Sequence, residues 1–278
     1  MDCWVPTAQD CISGLLKYDG GQISIDGLDI GKKSVQAKER VGIVPQDIAI
    51  YDTLTAYENV AFFAGLYGLS GKLLKERTLE ALEFTGLLDQ AKAQPKTFSG
   101  GMKRRLNIAC SIAHNPSLII LDEPTVGIDP QSRNHILESI KKLNERGSTI
   151  IYTSHYMEEV ETLCNNIAIL DQGKMLAHGT KDQLVDMVSD VTTVQVFFAN
   201  NVMPDINTIN GNCGVSHIEA VDHSLKLSGK NSSIDINGIL ARLIETGYQI
   251  RNIDTCKPNL ETVFLNLTGR KLRDGEEG

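Results

Sequence analysis

The sequence is short of several things, and each shortage removes a class of protein. Its six cysteines (Cys3, Cys11, Cys110, Cys164, Cys213 and Cys256) form no Cys-x-x-Cys pair. A metal or disulfide framework is therefore not expected, and a reducing compartment is. Basic residues are outnumbered, 27 Lys and Arg against 35 Asp and Glu, for a net charge of -8. With too few cations to neutralise its phosphates, no nucleic acid is expected as a partner. No apolar run approaches the ~20 residues of a membrane helix; the longest candidate, "VAFFAGL" at Val60–Leu66, is far shorter. The opening "MDCWVPTAQDC" has neither the basic start nor the apolar stretch of a secretory signal. What is there, 41% apolar and 22% charged residues in a chain of 278, fits an ordinary globular protein: one large domain, or a main domain with an appendage.

The order of elements reads clearly from about Gly20 onward. "GQISIDGLDI" alternates apolar and polar residues around Asp26-Gly27 and predicts a hairpin. "RVGIVPQD" is a short buried strand running into a loop. Leu54 to Pro116 reads almost wholly helical, with apolar repeats such as Leu79, Leu82 and Leu87. "SLIILDEP", apolar until it closes on two acids and a proline, suits a central parallel strand. In "PQSRNHILESIKKLNERG" Ile136, Leu137, Ile140 and Leu143 share one helical face, and Gly147 can end the helix. "STIIYTSH" predicts another buried strand, "MEEVETLCN" a helix and "NIAILDQGKMLAHG" a strand pair. Strands and helices that alternate over short links imply a parallel sheet covered by helices. Past Gly179 the character changes to separated strands ("TTVQVFFAN", "HSLKLSG") and one helix ("INGILARLIETG"), a small α+β appendage. "MDCWVPTAQDC" reads as no particular element.

Several pieces carry chemistry. A buried strand that ends in Asp122 and Glu123 puts two carboxylates at the strand edge where α/β sheets bind ligands. Asp122 could hold a hydrated Mg2+ beside phosphate oxygens, and Glu123 could orient or deprotonate a water. The dipeptide alone is as well explained by a strand end. Ser99-Gly100-Gly101 before a helix offers free N–H groups, a hydroxyl and a positive dipole end, an anion site or simply an N-cap. Met102 starts that helix, with Lys103 to Arg105 expected in solvent on its surface. Gln46 follows one strand and His155 another, each at the edge where Asp122 stands. Three strands that each end in a polar group at one edge are rarely coincidence.

In order and spacing, Gln46, "FSGGM", "LIILDEP", "TVGIDP" and His155 resemble the ATP-binding subunits of ABC transporters, over roughly Ile12 to Gly179. The resemblance implies a P-loop NTPase fold of the ABC ATPase kind: an α/β parallel sheet with a helical subdomain, N-terminally truncated here, plus the α+β appendage. The boundaries it implies are an ATPase domain over 1–180, with its helical subdomain at about 54–116, and a C-terminal domain over 181–278. It makes Gln46 the Q-loop glutamine, near the metal and the membrane partner. Ser99, Gly100 and Gly101 become the signature that meets the γ-phosphate held by the opposite subunit. Asp122 becomes the Walker B aspartate, Glu123 the catalytic glutamate, Asp129 the D-loop aspartate and His155 the switch histidine. ATP and Mg2+ are the implied cofactors. The implied partners are an integral membrane permease and a second ATPase subunit, alike or different, on the cytoplasmic face of the cell membrane. Phe98 stands where the broad family has Leu, and Met102 where it has Gln. "FSGGMKRRL", with "PNLETVFLNLTGRKLRD" near the end, resembles the branch serving ABC-2 type exporters of drugs, lipids and antibiotics.

One part of that pattern is lacking. Such an ATPase uses a loop G-x-x-x-x-G-K-[ST] to hold the β- and γ-phosphates. Gly-Lys occurs at Gly31-Lys32, Gly71-Lys72, Gly173-Lys174 and Gly229-Lys230, in no case followed by Ser or Thr or preceded by the required glycine. The family's loop would stand just before "ISGLL", where "MDCWVPTAQDC" is found. Codons permitted for those residues, read two nucleotides on, spell Gly-Leu-Leu-Gly-Pro-Asn-Gly-Ala-Gly, the usual opening of that loop. A start in the wrong frame followed by a small deletion is the expectation, and sequencing the locus tests it. The sheet should also lack a strand. The function expected is thus the ATP-hydrolysing motor of an exporter, impaired without its phosphate loop. The alternatives are a non-catalytic subunit that lends its signature to an intact one, and a soluble ABC protein outside transport. The acidic charge and the single ATPase half count against the last.

Overall fold

The apolar run Leu118 to Leu121 becomes strand β4 (Leu118–Asp122), with all four apolar side chains buried. It lies in the middle of a three-stranded parallel sheet, between β3 (Val41–Val44) and β5 (Thr149–Thr153). The register sets Val44 opposite Leu121 and Leu121 opposite Tyr152. The C-terminal ends of all three strands therefore fall on one edge. The computed structural model describes residues 4–188, 191–199, 214–221, 224–230, 234–256 and 259–268.

Side chains alternate across β4, as a pleated strand requires. Ile119 and Leu121 pack with Val44 and Ile108 on one face, under Ile136, Ile140 and Leu143 of α6 (Pro130–Glu145). Leu137, on the rim of that helical face, is only half-buried. Leu118 and Ile120 pack on the other face with Val41, Ile25, Ile30 and Ala37. Ile25 comes from the hairpin β1 (Ser24–Ile25) and β2 (Leu28–Asp29); Ala37 comes from α2 (Ser34–Lys38). The hairpin turns at Asp26 and Gly27, both with positive φ, 50° and 74°, the pairing that a two-residue turn of this hand demands.

The predicted helical stretch is α3 (Ala56–Leu66), α4 (Gly71–Phe84) and α5 (Gly100–Ile112), with single 3-10 turns between the last two. Thr55 and Glu58 form a reciprocal capping box on α3, which satisfies end N–H groups that would otherwise be orphaned. Val60, Ala64, Leu82, Leu87, Leu106 and Ala109 build a core for these helices. Helix α5 reaches from that core back to the sheet. It comes so close to β3 that a Cβ on Gly42 would collide with the Ser111 carbonyl, while Ser111 Oγ donates to Ile43 O at 2.6 Å.

The start of the chain departs from the expectation. "MDCWVPTAQDC" is not without structure: residues Trp4–Ser13 form a helix, α1. Pro6 falls within its first turn, where no N–H is needed for the helical ladder. Among the described residues the main sheet contains β3, β4 and β5 and no upstream strand.

The chain divides into two compact units, Met1–Cys164 with Leu170–Lys174, and Asn165–Ile169 with Met175–Gly278. Beyond β5 come α7 (Met157–Leu163), the hairpin β6 (Ile167–Asp171) and β7 (Lys174–Gly179), and α8 (Lys181–Asp186). The second unit is built on an antiparallel sheet, β11-β8-β10-β9. The predicted strands are β8 (Val191–Phe198) and β10 (Ser224–Lys230). Two more, β9 (Val215–Val221) and β11 (Ile250–Cys256), were not expected, because their polar alternation is weak. Val194, Val196, Phe198, Leu225 and Leu227 face Ile239 and Leu243 of α9 (Ile236–Glu245). Of "PNLETVFLNLTGRKLRD", Leu260–Thr268 is helix α10, and the end from 269 lies outside the described residues.

Candidate functional site

Because β3, β4 and β5 run parallel in register, Gln46, Asp122 and His155 arrive at one edge of the sheet from three neighbouring strands. Thr153, the last residue of β5, organises the acidic end of β4. Its hydroxyl donates to Asp122 Oδ1 at 2.7 Å. The Thr153 hydroxyl oxygen in turn accepts from the Glu123 N–H at 3.3 Å and from the side-chain amide of buried Gln9, from α1, at 3.2 Å. The Glu123 N–H also lies 3.2 Å from Thr153 O.

Glu123 holds φ at +42°, a conformation that costs a non-glycine residue on the order of 1–3 kcal/mol and is tolerated where a side chain must be aimed. The carboxylate it aims reaches His155: Nδ1 and Glu123 Oε2 are 3.0 Å apart. Neither side chain is closed off from solvent, at 38% and 28% exposure. Between them they offer an acid–base pair at the mouth of the sheet edge.

Ser99 is the N-cap of α5, where Oγ accepts from the Met102 N–H at 3.3 Å. Gly100 is nearly open, with only Ile128 near the space of a Cβ, whereas a Cβ on Gly101 would collide with the Ser132 side chain and approach Asp129. Asp129 is the N-cap of α6; Oδ1 accepts from the Ser132 N–H at 2.9 Å. The Ser132 N–H and hydroxyl hold the exposed Asp129 carboxyl below its ordinary range. The structure thus brings Gly101 and Asp129 side by side, and Glu123 and His155 together. No hydrogen bond joins Ser99 to Gly101 with Asp122, Glu123 or His155 among the described residues.

The basic run at the start of α5 is not a solvated face, contrary to expectation. Arg104 is 4% exposed and donates Nη1 to Pro45 O at 2.7 Å and Nη2 to Gln46 O at 2.5 Å. Burial lowers its pKa from the usual guanidinium value, while the charges of Asp47 and then Asp122 support the cation. Lys103 pairs with Asp52 at 3.1 Å, and Arg105 donates to Thr85 O at 3.0 Å. Arg104 was missed because a run of three bases reads as a surface, and only helix packing decides which one turns inward. Thr153 and Glu159 were missed too. Nothing marks one hydroxyl in "YTSH" or one acid in "MEEVE" before the strand and helix are placed.

Comparison with known proteins follows the same outline. Residues 7–126 match the family described as ABC transporter. The linearmycin resistance ATP-binding protein LnrL of Bacillus subtilis (strain 168) is 47% identical over 270 residues, covering 96% of this chain and 87% of that protein. A Nod factor export ATP-binding protein I of Cupriavidus pinatubonensis is 35% identical, covering 94% and 78%. A daunorubicin resistance ATP-binding protein of Streptomyces coeruleorubidus is 30% identical, covering 97% and 84%. Among solved structures, an ATP-binding subunit of an ABC transporter aligns at TM-score 0.59 and 29% identity, covering 66% of this chain and 76% of that one. A dimeric ATP-binding cassette bound to ADP and Pi aligns at TM-score 0.56 and 27% identity, covering 63% and 80%.

Proposed function

This chain belongs to the ATP-binding proteins of ABC transporters, in the ABC-2 type exporter branch, and we propose that it serves an exporter as a motor subunit that works through its signature face. The relatives named for linearmycin and daunorubicin resistance support drug or antibiotic efflux as the transport served. ATP hydrolysis is the family's activity. The ATPase domain is taken as 1–180, with a helical subdomain near 54–116, and the appendage as 181–278.

In this reading Gln46, Asp122, Glu123 and His155 line the chain's own nucleotide edge, and Ser99, Gly100, Gly101 and Asp129 face the nucleotide of a second ATPase subunit. The dimeric cassette bound to ADP and Pi supports such pairing. Mg2+ fits the oxygens at the end of β4. Asp122 engages one carboxylate oxygen with Thr153, which leaves the other for a small dication that takes few protein ligands, and Gln46 follows the neighbouring strand at the same edge. Bound there, Mg2+ would neutralise charge on the transferring phosphoryl group. The fit for the β- and γ-phosphates is poor: no G-x-x-x-x-G-K-[ST] stands within the 278 residues. Gln9 supplies one amide beside Asp122 where a loop of N–H groups and a lysine is needed.

A membrane permease is the second partner, which puts the chain on the cytoplasmic face of the membrane. No helix among the described residues is long and apolar enough to cross one. Support for docking comes from the helical subdomain just past Gln46. Tyr51 and Phe62 are exposed there with ring centroids 5.2 Å apart, and Phe63 packs against both. An exposed aromatic cluster of this kind is common at protein interfaces.

One observation carries the reading: Ser99 to Gly101 and Asp129 form one built surface on two capped helices, although no G-x-x-x-x-G-K-[ST] stands within the 278 residues. The test mixes this chain with a relative that has an intact phosphate loop and follows phosphate release. The chain alone should stay at background and the mixture should turn over. Gly100→Asp, which puts a carboxylate on the face meant for a γ-phosphate, should cost the mixture ~10²-fold or more; Glu123→Gln should leave it nearly unchanged. Turnover by the chain alone, abolished by Glu123→Gln, would overturn the reading.

A further inference from the structure

Glu159, in α7, is 4% exposed, and a carboxylate this deep is retained only where partners surround it. Its four partners come from three segments. Oε2 accepts from Thr125 Oγ1 at 2.9 Å, Tyr152 OH at 2.6 Å and Ser154 Oγ at 3.1 Å. Oε1 faces Arg133 Nε at 3.1 Å, an ion pair. The guanidinium of Arg133 also lies over the Tyr156 ring, 4.4 Å from its centroid. Burial, and then the bond to Glu159, pushes the Tyr152 phenol well above its ordinary pKa, so it stays a donor.

These partners are not a random set. Ser154 and Tyr156 flank His155, and they are tied to each other as well: the Tyr156 N–H donates to Ser154 Oγ at 3.0 Å, whose proton goes to Glu159. The His155 and Tyr156 rings touch, centroids 4.3 Å apart. Thr125 and Arg133 flank Asp129 in the same way, one before the turn into α6 and one in its first turn. The turn that bears Asp129 is thus fastened on both sides to one buried anion, and the stretch that bears His155 is fastened to it directly through Ser154 and, by way of Arg133, through the Tyr156 ring.

We propose that Glu159 is a positioning residue that sets two placements at once, His155 against Glu123 and the Asp129 turn against Gly101. This rests on the nucleotide-facing reading of those residues. Glu159 touches none of the four itself, so it acts through Ser154, Tyr156, Thr125 and Arg133. The physical basis is shared satisfaction. A carboxylate can serve three donors and a cation together, whereas an amide cannot, because its NH2 half would meet Arg133 with no negative charge.

The test uses the full chain labelled with 15N-histidine, with the His155 ring signals identified by their loss in His155→Asn. In the wild type His155 should show a single set of signals with Nδ1 hydrogen-bonded. Glu159→Gln and, separately, Ser154→Ala should move those signals to the values of a free imidazole. The signals of His114, half-buried elsewhere in the same unit, should stay in place and report an intact fold. Unchanged His155 signals in both variants would sink the proposal. If Glu159→Gln disturbs His114 as well, Ser154→Ala and Tyr152→Phe decide the question, since each removes one donor and no charge. Turnover of the mixture with an intact subunit tests the underlying reading separately: a wild-type chain that adds nothing there ends that reading, while the ring signals still report on Glu159.

Discussion

Arg104, on the helix that Ser99 caps, grips the carbonyl oxygen of Gln46 at 2.5 Å and that of Pro45 at 2.7 Å. A cation buried among helices thus fixes the exit of β3, and the turn of α5 that carries the signature cannot shift without carrying the Gln46 loop with it.

Removing that grip should be expensive. Hydrogen bonds to a charged group are worth roughly 1.5–3 kcal/mol each, so Arg104→Met is expected to cost about 3 kcal/mol in urea unfolding. Neighbouring Lys103 makes a single, partly exposed ion pair with Asp52, and Lys103→Ala should cost under ~1 kcal/mol. Equal losses at the two positions would contradict the packing described.

Gly101 is needed for space. Its Cβ would run into Ser132, and overpacking of this kind typically costs ~1–3 kcal/mol. Gly101→Ala should therefore destabilise the chain and weaken the mixture's turnover. Ser132→Gly, although it costs ~1 kcal/mol of helix propensity by itself, should recover part of the loss in the double variant. Additive losses would mean that the close approach is not the cause.

His114 stacks on Tyr67 with centroids 3.6 Å apart, and its Nε2 lies 3.2 Å from Val41 O. Burial pulls its pKa down from 6.5 to about 4. The unfolded chain takes up the proton first, so the stability tied to neutral His114 is whole above about pH 6.5. It drains as the pH falls towards 4 and amounts to up to about 3 kcal/mol. Urea midpoints at pH 7 and pH 5 should differ more in the wild type than in His114→Phe; parallel shifts would remove His114 as the cause.

Thr153 should couple α1 to the end of β4. Thr153→Val leaves the Gln9 amide without its acceptor and Asp122 Oδ1 without its donor, a loss of ~1–3 kcal/mol, while the Glu123 N–H keeps Thr153 O. Because Gln9→Leu removes the stranded donor, the double variant should be more stable than the sum of the two singles implies, by roughly 1 kcal/mol in a double-mutant cycle. Zero coupling would show that Gln9 does not depend on Thr153.

Much of this was legible in the sequence, because the information is local. The apolar run before Asp122 can only be a buried strand. Asp26-Gly27 can only be a tight turn between short strands. Ser99 caps a helix because a small oxygen-bearing side chain precedes a helical pattern, and its separation from Asp129 along the chain marks the family. That no G-x-x-x-x-G-K-[ST] stands within the 278 residues is likewise read from the residues alone. What the sequence left open depends on packing direction. That "MDCWVPTAQDC" is helical from Trp4, that Arg104 and not its neighbours turns inward, and that Gln9 ends beside Asp122 are consequences of where helices lie against the sheet. Glu159 is the plainest case. In the sequence it is one acid among three in "MEEVE", and only when α6, α7 and β5 meet does it become the one placed among three donors and a cation, since a lone carboxylate could not stay buried without them.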